Sequence, residues 1–324
     1  MQVSPSVRAV QVPDESPMRP VSTNIYLVGR DQVLTIDSGE ALDRYRWMLR
    51  GYLAATEKAE IAVAAVTHHH ADHSGNLKWT REIFDAEIAI PENGRPLLKG
   101  RLPAKGVRKL VDGQLVELDG GVNLRVITSP GHSVDSICYY LEDEGVLFTG
   151  DTMLGSTTTT IGDLAAYRTT LQRLVELPNL KVICPGHGPL VHDPRERLQS
   201  YIDHRNGREA QILDALKEGG PKTSWEIMLA IYDDIDTRLR RAADSNVRTH
   251  LAQLEAEGRI LASLGRPRRP TARKRTREEA RRRERDRIIK RARRLEAAAR
   301  RAEARAQENP PTDEWIEPPR YELT

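Results

Sequence analysis

Thr67-His68-His69-His70-Ala71-Asp72-His73-Ser74-Gly75 is the stretch whose reading decides the fold. It follows the apolar run Ile61 to Val66, which reads as a buried strand, and precedes Asn76 to Asp85, which reads as a helix. Four imidazoles and a carboxylate therefore stand where a strand ends, a place that aims side chains with little further ordering. Of the nine histidines in the chain, four fall within six consecutive positions. The pattern His68-x-His70-x-Asp72-His73 offers two nitrogen ligands to one metal, and an oxygen and a nitrogen to a second. His69 alternates away from His68 and His70 and reads as a supporting residue.

Beyond this cluster, a strand, a glycine turn and a ligand-type residue occur together three times. Ser129-Pro130-Gly131-His132-Ser133 follows the strand Asn123 to Ile127, Phe148-Thr149-Gly150-Asp151-Thr152 follows the next apolar run, and Cys184-Pro185-Gly186-His187-Gly188 follows the last strand. The spacing assigns His68, His70 and His132 to one metal and Asp72, His73 and His187 to another, with Asp151 bridging. Two cations about 3.5–4 Å apart can share a hydroxide at neutral pH and stabilise the oxyanion it creates. The expected cofactor is two zinc ions, with manganese or iron also compatible with nitrogen and oxygen donors. Asp72 and Asp151 are the expected catalytic carboxylates, Asp72 positioning the nucleophile or accepting its proton.

Working outward, Val7 to Val12, Asn24 to Gly29 and Gln32 to Asp37 read as strands, and Glu40 to Thr56 as an amphipathic helix. Glu87 to Ile90, Gln114 to Leu118, Asn123 to Ile127, Ile137 to Leu141, Val146 to Phe148 and Lys181 to Cys184 read as further strands, with a helix over Leu164 to Leu177. Two groups of strands with helices between and outside give an α/β class and suggest a sheet sandwich flanked by helices. Residues 1–193 form the expected catalytic domain. Residues 194–264 form a second unit: a helix over Arg195 to Leu216, a capping box Thr223-Ser224-Trp225-Glu226, a helix Asn246 to Glu257 and a short strand Arg259 to Leu261. Three helices and a strand resemble a winged helix. Arg248 and His250 against Glu255 and Glu257 make no basic reading head, so a packing role is favoured.

At 324 residues, with 30% charged and 5% aromatic side chains, the chain has room for one aliphatic core and a second module. Cys138 and Cys184 read as core residues, and two cysteines so far apart suggest a reducing compartment. Met1 to Arg8 lacks the pattern of a signal peptide and no apolar run approaches the roughly 20 residues of a membrane span, so a soluble cytoplasmic protein without membrane contact is expected. The net charge of +3 hides an asymmetry: residues 266–305 hold 19 Lys/Arg against 6 Asp/Glu, whereas 306–324 hold five acids and one base. Residues 265–324 are thus expected as a basic Arg/Ala/Glu-rich helical tail, helical over Thr276 to Gln307, with a disordered terminus from Asn309. That tail is either a solvated helix or a nucleic-acid contact.

Thr67 to Gly75, Pro130-Gly131-His132, Gly150-Asp151 and Pro185-Gly186-His187-Gly188 resemble, in order, the motifs of the metallo-β-lactamase superfamily. Phe148 to Gly155, Tyr201-Ile202-Asp203-His204-Arg205 and the winged-helix-like segment resemble its β-lactamase-like protein 2 branch. The resemblance implies an αβ/βα sandwich with a two-metal site on one edge, and single-stranded RNA cleavage as in the mitochondrial member. Asn76 departs from it, standing where the family usually has a second glycine, and the basic tail lies outside the pattern. His204 and Arg205 read equally as contacts to a substrate phosphate or carboxylate and as a helix-packing salt bridge. The leading reading is a dinuclear metal hydrolase using a metal-bridging hydroxide on an ester, thioester or phosphodiester. The alternatives are a single-stranded RNA endoribonuclease and a nucleic-acid-binding regulator with a non-catalytic metal site. A di-iron redox module would need an attached flavodoxin-like domain that the chain lacks.

Overall fold

Period-two alternation builds the core. The computed structural model describes all of residues 1–324 except 20, 56–59, 119–120, 218, 264, 268–314, 318 and 324. The described chain forms two compact units, residues 1–207 and 208–324.

In the first unit, seven strands pair in chain order: β1 (Gln2–Ser4), β2 (Val7–Asp14), β3 (Val21–Val28), β4 (Gln32–Ile36), β5 (Glu60–Ala65), β6 (Glu87–Pro91) and β7 (Val107–Leu110). Pairing is antiparallel up to β4 and parallel from β4 to β7. A second sheet has β8 (Leu115–Leu118), β9 (Val122–Thr128), β10 (Ile137–Leu141), β11 (Val146–Gly150) and β12 (Val182–Pro185), of which only β11 and β12 are parallel. Alternate residues face alternate layers. Ile137, Tyr139 and Leu141 of β10 pack with Leu34, Ile36 and Ala65 between the sheets. Cys138 and Tyr140 point the other way.

The outer layers are helical. Tyr45, Leu49 and Leu53 of α1 (Asp43–Ala55) cover Val10, Ile25, Leu27 and Val33. The short α2 (Ala71–Ser74) and then α3 (Leu77–Phe84) follow β5, and Leu77 packs on Ala64, Val66 and Ile88. On the far side, α4 (Leu164–Val175) and the first half of α5 (Pro194–Lys217) bury Leu171, Leu174, Leu198 and Tyr201 against Tyr140, Leu147 and Ile183. The result is the expected αβ/βα sandwich. Two strands absent from the sequence reading, β1 and β7, are the edges of the first sheet. They are too short, and β7 too charged, to alternate visibly.

In the second unit, α6 (Ser224–Ile231) opens on Thr223, whose side chain accepts from the Glu226 amide in a complete capping box. α7 (Arg240–Ala256) starts six residues before the expected Asn246. Its first turn, Arg-Arg-Ala-Ala, has good helix formers without apolar periodicity. Val247, Leu251 and Leu254 share one buried face with Ile212, Trp225 and Met228. β13 (Ile260–Ala262) is followed by β14 (Arg266–Pro267), β15 (Trp315–Glu317) and β16 (Tyr321–Leu323). β13 pairs antiparallel with β16 and β14 with β15. The terminus expected to be disordered thus contains two strands, because strands distant in sequence supply hydrogen bonds that local composition does not reveal. The expected helix over Thr276 to Gln307, and most of the basic segment 266–305, lie outside the described residues. No helix among the described residues is long and apolar enough to cross a membrane.

Candidate metal centre

Strand direction sets the site. β4 and β5 run parallel, so Asp37 and the Thr67–His73 turn emerge side by side; β11 and β12 run parallel, so Asp151 and His187 do the same. Two glycines allow close approach. Gly150 has φ +50°, and a Cβ there would lie 2.5 Å from Thr67 Oγ1; Gly131 has φ +141°, and its Cβ would lie 2.6 Å from the Tyr167 backbone.

All seven expected donor residues come together. His68, His70, His132 and Asp151 form one group, and Asp72, His73 and His187 another, each with donor atoms within 4.8 Å. His70 Nδ1 is 2.9 Å from His68 Nε2 and 3.1 Å from His132 Nε2. In the second group, His187 Nε2 lies 3.3 Å from Asp72 Oδ2, and His73 Nε2 lies 3.9 Å from the same oxygen. Asp151 faces both groups: Oδ1 is 3.3 Å from both His73 Nε2 and His187 Nε2, and Oδ2 is 3.8 Å from His132 Nε2.

The hydrogen bonds behind the rings decide which nitrogen points inward. His73 Nδ1 donates to Asp37 Oδ2 at 2.7 Å, and His132 Nδ1 to the Thr160 carbonyl at 2.8 Å; neither partner can donate back. Thr67 Oγ1 donates its proton to Asp37 at 3.0 Å, so it accepts from His68 Nδ1, also at 3.0 Å. Thr23 Oγ1 lies 3.1 Å from His187 Nδ1 and donates to Asp14 at 3.4 Å. Four Nε2 atoms therefore converge.

Such a set fits a cation. His73 Nε2, His187 Nε2 and Asp151 Oδ1 are buried without a hydrogen-bond partner, although buried polar atoms are normally paired. Their 3.3 Å spacings match the edge of a tetrahedron with metal–ligand bonds of about 2.0–2.1 Å. Burial, then the neighbouring His73 and His132, hold His68 well below its usual pKa, and burial with His132 and His69 lowers His70 to about 4. Both rings are thus neutral, the form that binds a metal. Burial works against a charged His73 or His187. Carboxylates, Asp151 first, outweigh it and raise His73 well above its usual value and His187 to about 9. Conversely Asp151 and Asp72 are lowered despite burial, Asp151 chiefly by His187 and His73, Asp72 chiefly by His73.

Several partners went unread in the sequence. Asp37 accepts from the Thr67 amide at 2.7 Å as well as from His73. Its signal was present, since Ile36-Asp37-Ser38-Gly39 is itself a strand end, an acid and a glycine. Arg19 Nη1 lies 3.5 Å from Asp72 and 3.2 Å from Glu40, and its Nε 3.0 Å from Asp14. His69 Nδ1 donates to the buried Asp135 at 2.8 Å, consistent with the alternation that set it apart. Asn76, at the departing position, is fully used: Nδ2 donates to the carbonyls of Ser38 and Glu40 at 2.9 and 2.6 Å, and Oδ1 accepts from Arg46 at 2.8 Å. Arg205 makes no salt bridge among the described residues. It is buried and donates to the Thr159 carbonyl at 2.7 Å.

Cys138 and Cys184 are buried core residues, and burial pushes the Cys138 thiol up to about 11 and Cys184 well above the usual range. We expect neither to react with a thiol reagent at mildly alkaline pH until the protein unfolds, whereupon both should react. Fast labelling of the native protein would contradict their burial.

Comparison with known proteins adds two family matches: a metallo-beta-lactamase superfamily model over residues 18–187, and a beta-lactamase associated winged helix domain over residues 223–265. A beta-lactamase-like protein 2 homolog of Caenorhabditis elegans is 34% identical over 261 residues, covering 79% of this chain and 86% of its own. An atrochrysone carboxyl ACP thioesterase of Aspergillus fumigatus is 35% identical over 244 residues, 71% of this chain and 74% of its own. A metallo-beta-lactamase family protein of Thermus thermophilus has a similar structure, with a TM-score of 0.67 at 25% identity, covering 80% of this chain and 96% of that one.

Proposed function

The chain belongs to the metallo-β-lactamase superfamily, and from that premise we propose that it is a dinuclear metal-dependent hydrolase acting on an acyl ester or thioester. One observation carries the reading: seven nitrogen- and oxygen-bearing side chains converge, with three buried donor atoms left without hydrogen bonds. His68, His70 and His132 would hold one cation and Asp72, His73 and His187 the other, with one Asp151 oxygen toward each. A bound pair, zinc or else manganese or iron, supplies positive charge that acidifies water and stabilises the anion formed as a carbonyl is attacked.

The chain's own groups do the positioning. Asp37, Thr67, Thr23 and Thr160 fix the imidazole tautomers, so the site needs little reorganisation when substrate arrives. Asp72 is 15% exposed, whereas His73 and His187 are sealed, so it is the carboxylate of that group that solvent reaches. Braced by Arg19, it is placed to orient the attacking water and accept its proton.

The thioester preference is supported by the thioesterase named above, 35% identical over 71% of this chain. A second reading, phosphodiester cleavage of single-stranded RNA, draws on the 19 Lys/Arg in residues 266–305. A parallel assay on acyl thioesters and single-stranded RNA, with Asp72→Ala as control, separates the two. We expect thioester turnover that Asp72→Ala abolishes, and intact RNA. RNA cleavage sensitive to the same substitution would overturn the substrate reading, and absence of turnover on both would overturn the hydrolase proposal for these classes.

A further inference from the structure

Helix α5 directs three side chains spaced by four residues, Arg197, Tyr201 and Arg205, at one irregular segment, residues 154–159. Arg197 Nη2 donates to the carbonyls of Leu154 and Thr157 at 3.3 and 2.9 Å. The Tyr201 hydroxyl accepts from the Leu154 amide at 2.8 Å and donates to the Thr157 carbonyl at 2.6 Å. Arg205 Nη2 closes the row on the Thr159 carbonyl at 2.7 Å. The same end of that segment steadies the ring of His132, whose Nδ1 lies 3.0 Å from Thr159 Oγ1 and 2.8 Å from the Thr160 carbonyl.

A second path leads from Arg205 to the same ligand. Its guanidinium carbon lies 5.4 Å from the centre of the Tyr167 ring. Tyr167 packs so tightly on Gly131, the residue before His132, that no Cβ would fit there. The Tyr167 hydroxyl donates to the Thr152 carbonyl at 2.6 Å, next to Asp151.

Arg205 is 1% exposed, and its Nε and Nη1 make no hydrogen bond. Burying a guanidinium is unfavourable, and the Thr159 carbonyl and the Tyr167 side chain offset only part of that. A buried cation with so few partners points to a role beyond packing.

We propose that Arg205 is a positioning residue for the metal centre. It clasps Thr159, so that Thr159 and Thr160 hold His132 with Nε2 turned toward His70, and through Tyr167 it supports the Gly131 turn. The inference rests on the metal-site reading above.

The test uses the full-length wild type, Arg205→Met, Arg205→Lys and Thr159→Val, each stripped of metal, melted, and titrated with Zn(II) against a chromogenic chelator. Wild type should take up two equivalents. Arg205→Met and Thr159→Val should each weaken one equivalent by about 10-fold or more, the size usual for removing a ligand's hydrogen-bond support, and leave the other unchanged. Arg205→Lys, which keeps a donor for the Thr159 carbonyl, should recover part of the loss. The Arg205→Met/Thr159→Val double variant should fall short of the sum, as residues of one chain of contacts do. If Arg205→Met fails to melt cooperatively, Thr159→Val and Arg205→Lys decide by the same titration. Two equivalents in wild type with unchanged affinities in the folded variants would overturn this inference alone. No uptake by wild type would overturn the metal-site reading beneath it.

Discussion

Asp151→Ala is expected to lower kcat/KM by roughly 10³-fold or more, because the charge stabilisation at stake in a two-metal site is several kcal/mol and each 1.36 kcal/mol is tenfold in rate. Its carboxylate faces both donor clusters, with Oδ1 3.3 Å from His73 Nε2 and His187 Nε2, and Oδ2 3.8 Å from His132 Nε2. Elemental analysis of the same variant should show less than two metal equivalents per chain. The fold should persist, since Asp151 follows the last residue of β11 and its buried carboxylate meets the imidazoles of the site rather than the apolar core. An Asp151→Ala protein with two metals and full turnover would sink the dinuclear assignment.

Asp37 carries the second large effect. Its carboxylate accepts from the Thr67 amide, from Thr67 Oγ1 and from His73 Nδ1, all buried. Its φ of +64° is a further cost for alanine. Asp37→Ala leaves these donors without an acceptor, at about 1–3 kcal/mol each, so a loss of about 3–5 kcal/mol in chemical denaturation is expected. Asp37→Asn discriminates more finely. Asparagine tolerates the left-handed conformation and its oxygen can still accept from Thr67, so stability should fall much less. Its amide NH₂ would then face His73 Nδ1, move the proton to Nε2 and turn a lone pair away from the cluster. Metal affinity should fall by about 10–100-fold in Asp37→Asn even though the protein melts near wild type. Equal losses of stability and metal affinity in both variants would show that Asp37 only supports the fold.

These two residues mark how far the chain could be read in advance. Asp151 was legible because a strand, a glycine and an acid lie within a few consecutive positions, and the same strand, glycine and ligand order delivered His132 and His187. Asp37 carries a similar local pattern, but nothing local says that β4 pairs in parallel with β5 and so brings it under His73. Thr23 supports His187 from 164 residues away, and Thr159 supports His132 from 27 residues away. Neither has a pattern of its own.

The same division holds for the fold. Alternation in β10 and the helical spacing of Val247, Leu251 and Leu254 are local properties of a backbone with fixed periods, so strand, helix and buried face could be assigned residue by residue. The pairing of β13 with β16 could not, because it joins residues 260–262 to 321–323 and depends on hydrogen bonds between backbones far apart in the chain. The sequence by itself determined most of the elements, their core faces and the seven candidate donor residues. Only the tertiary structure decided the sheet order, the nitrogen each histidine turns inward and the buried arginine behind His132, since each of these depends on groups that meet only when distant segments pack together.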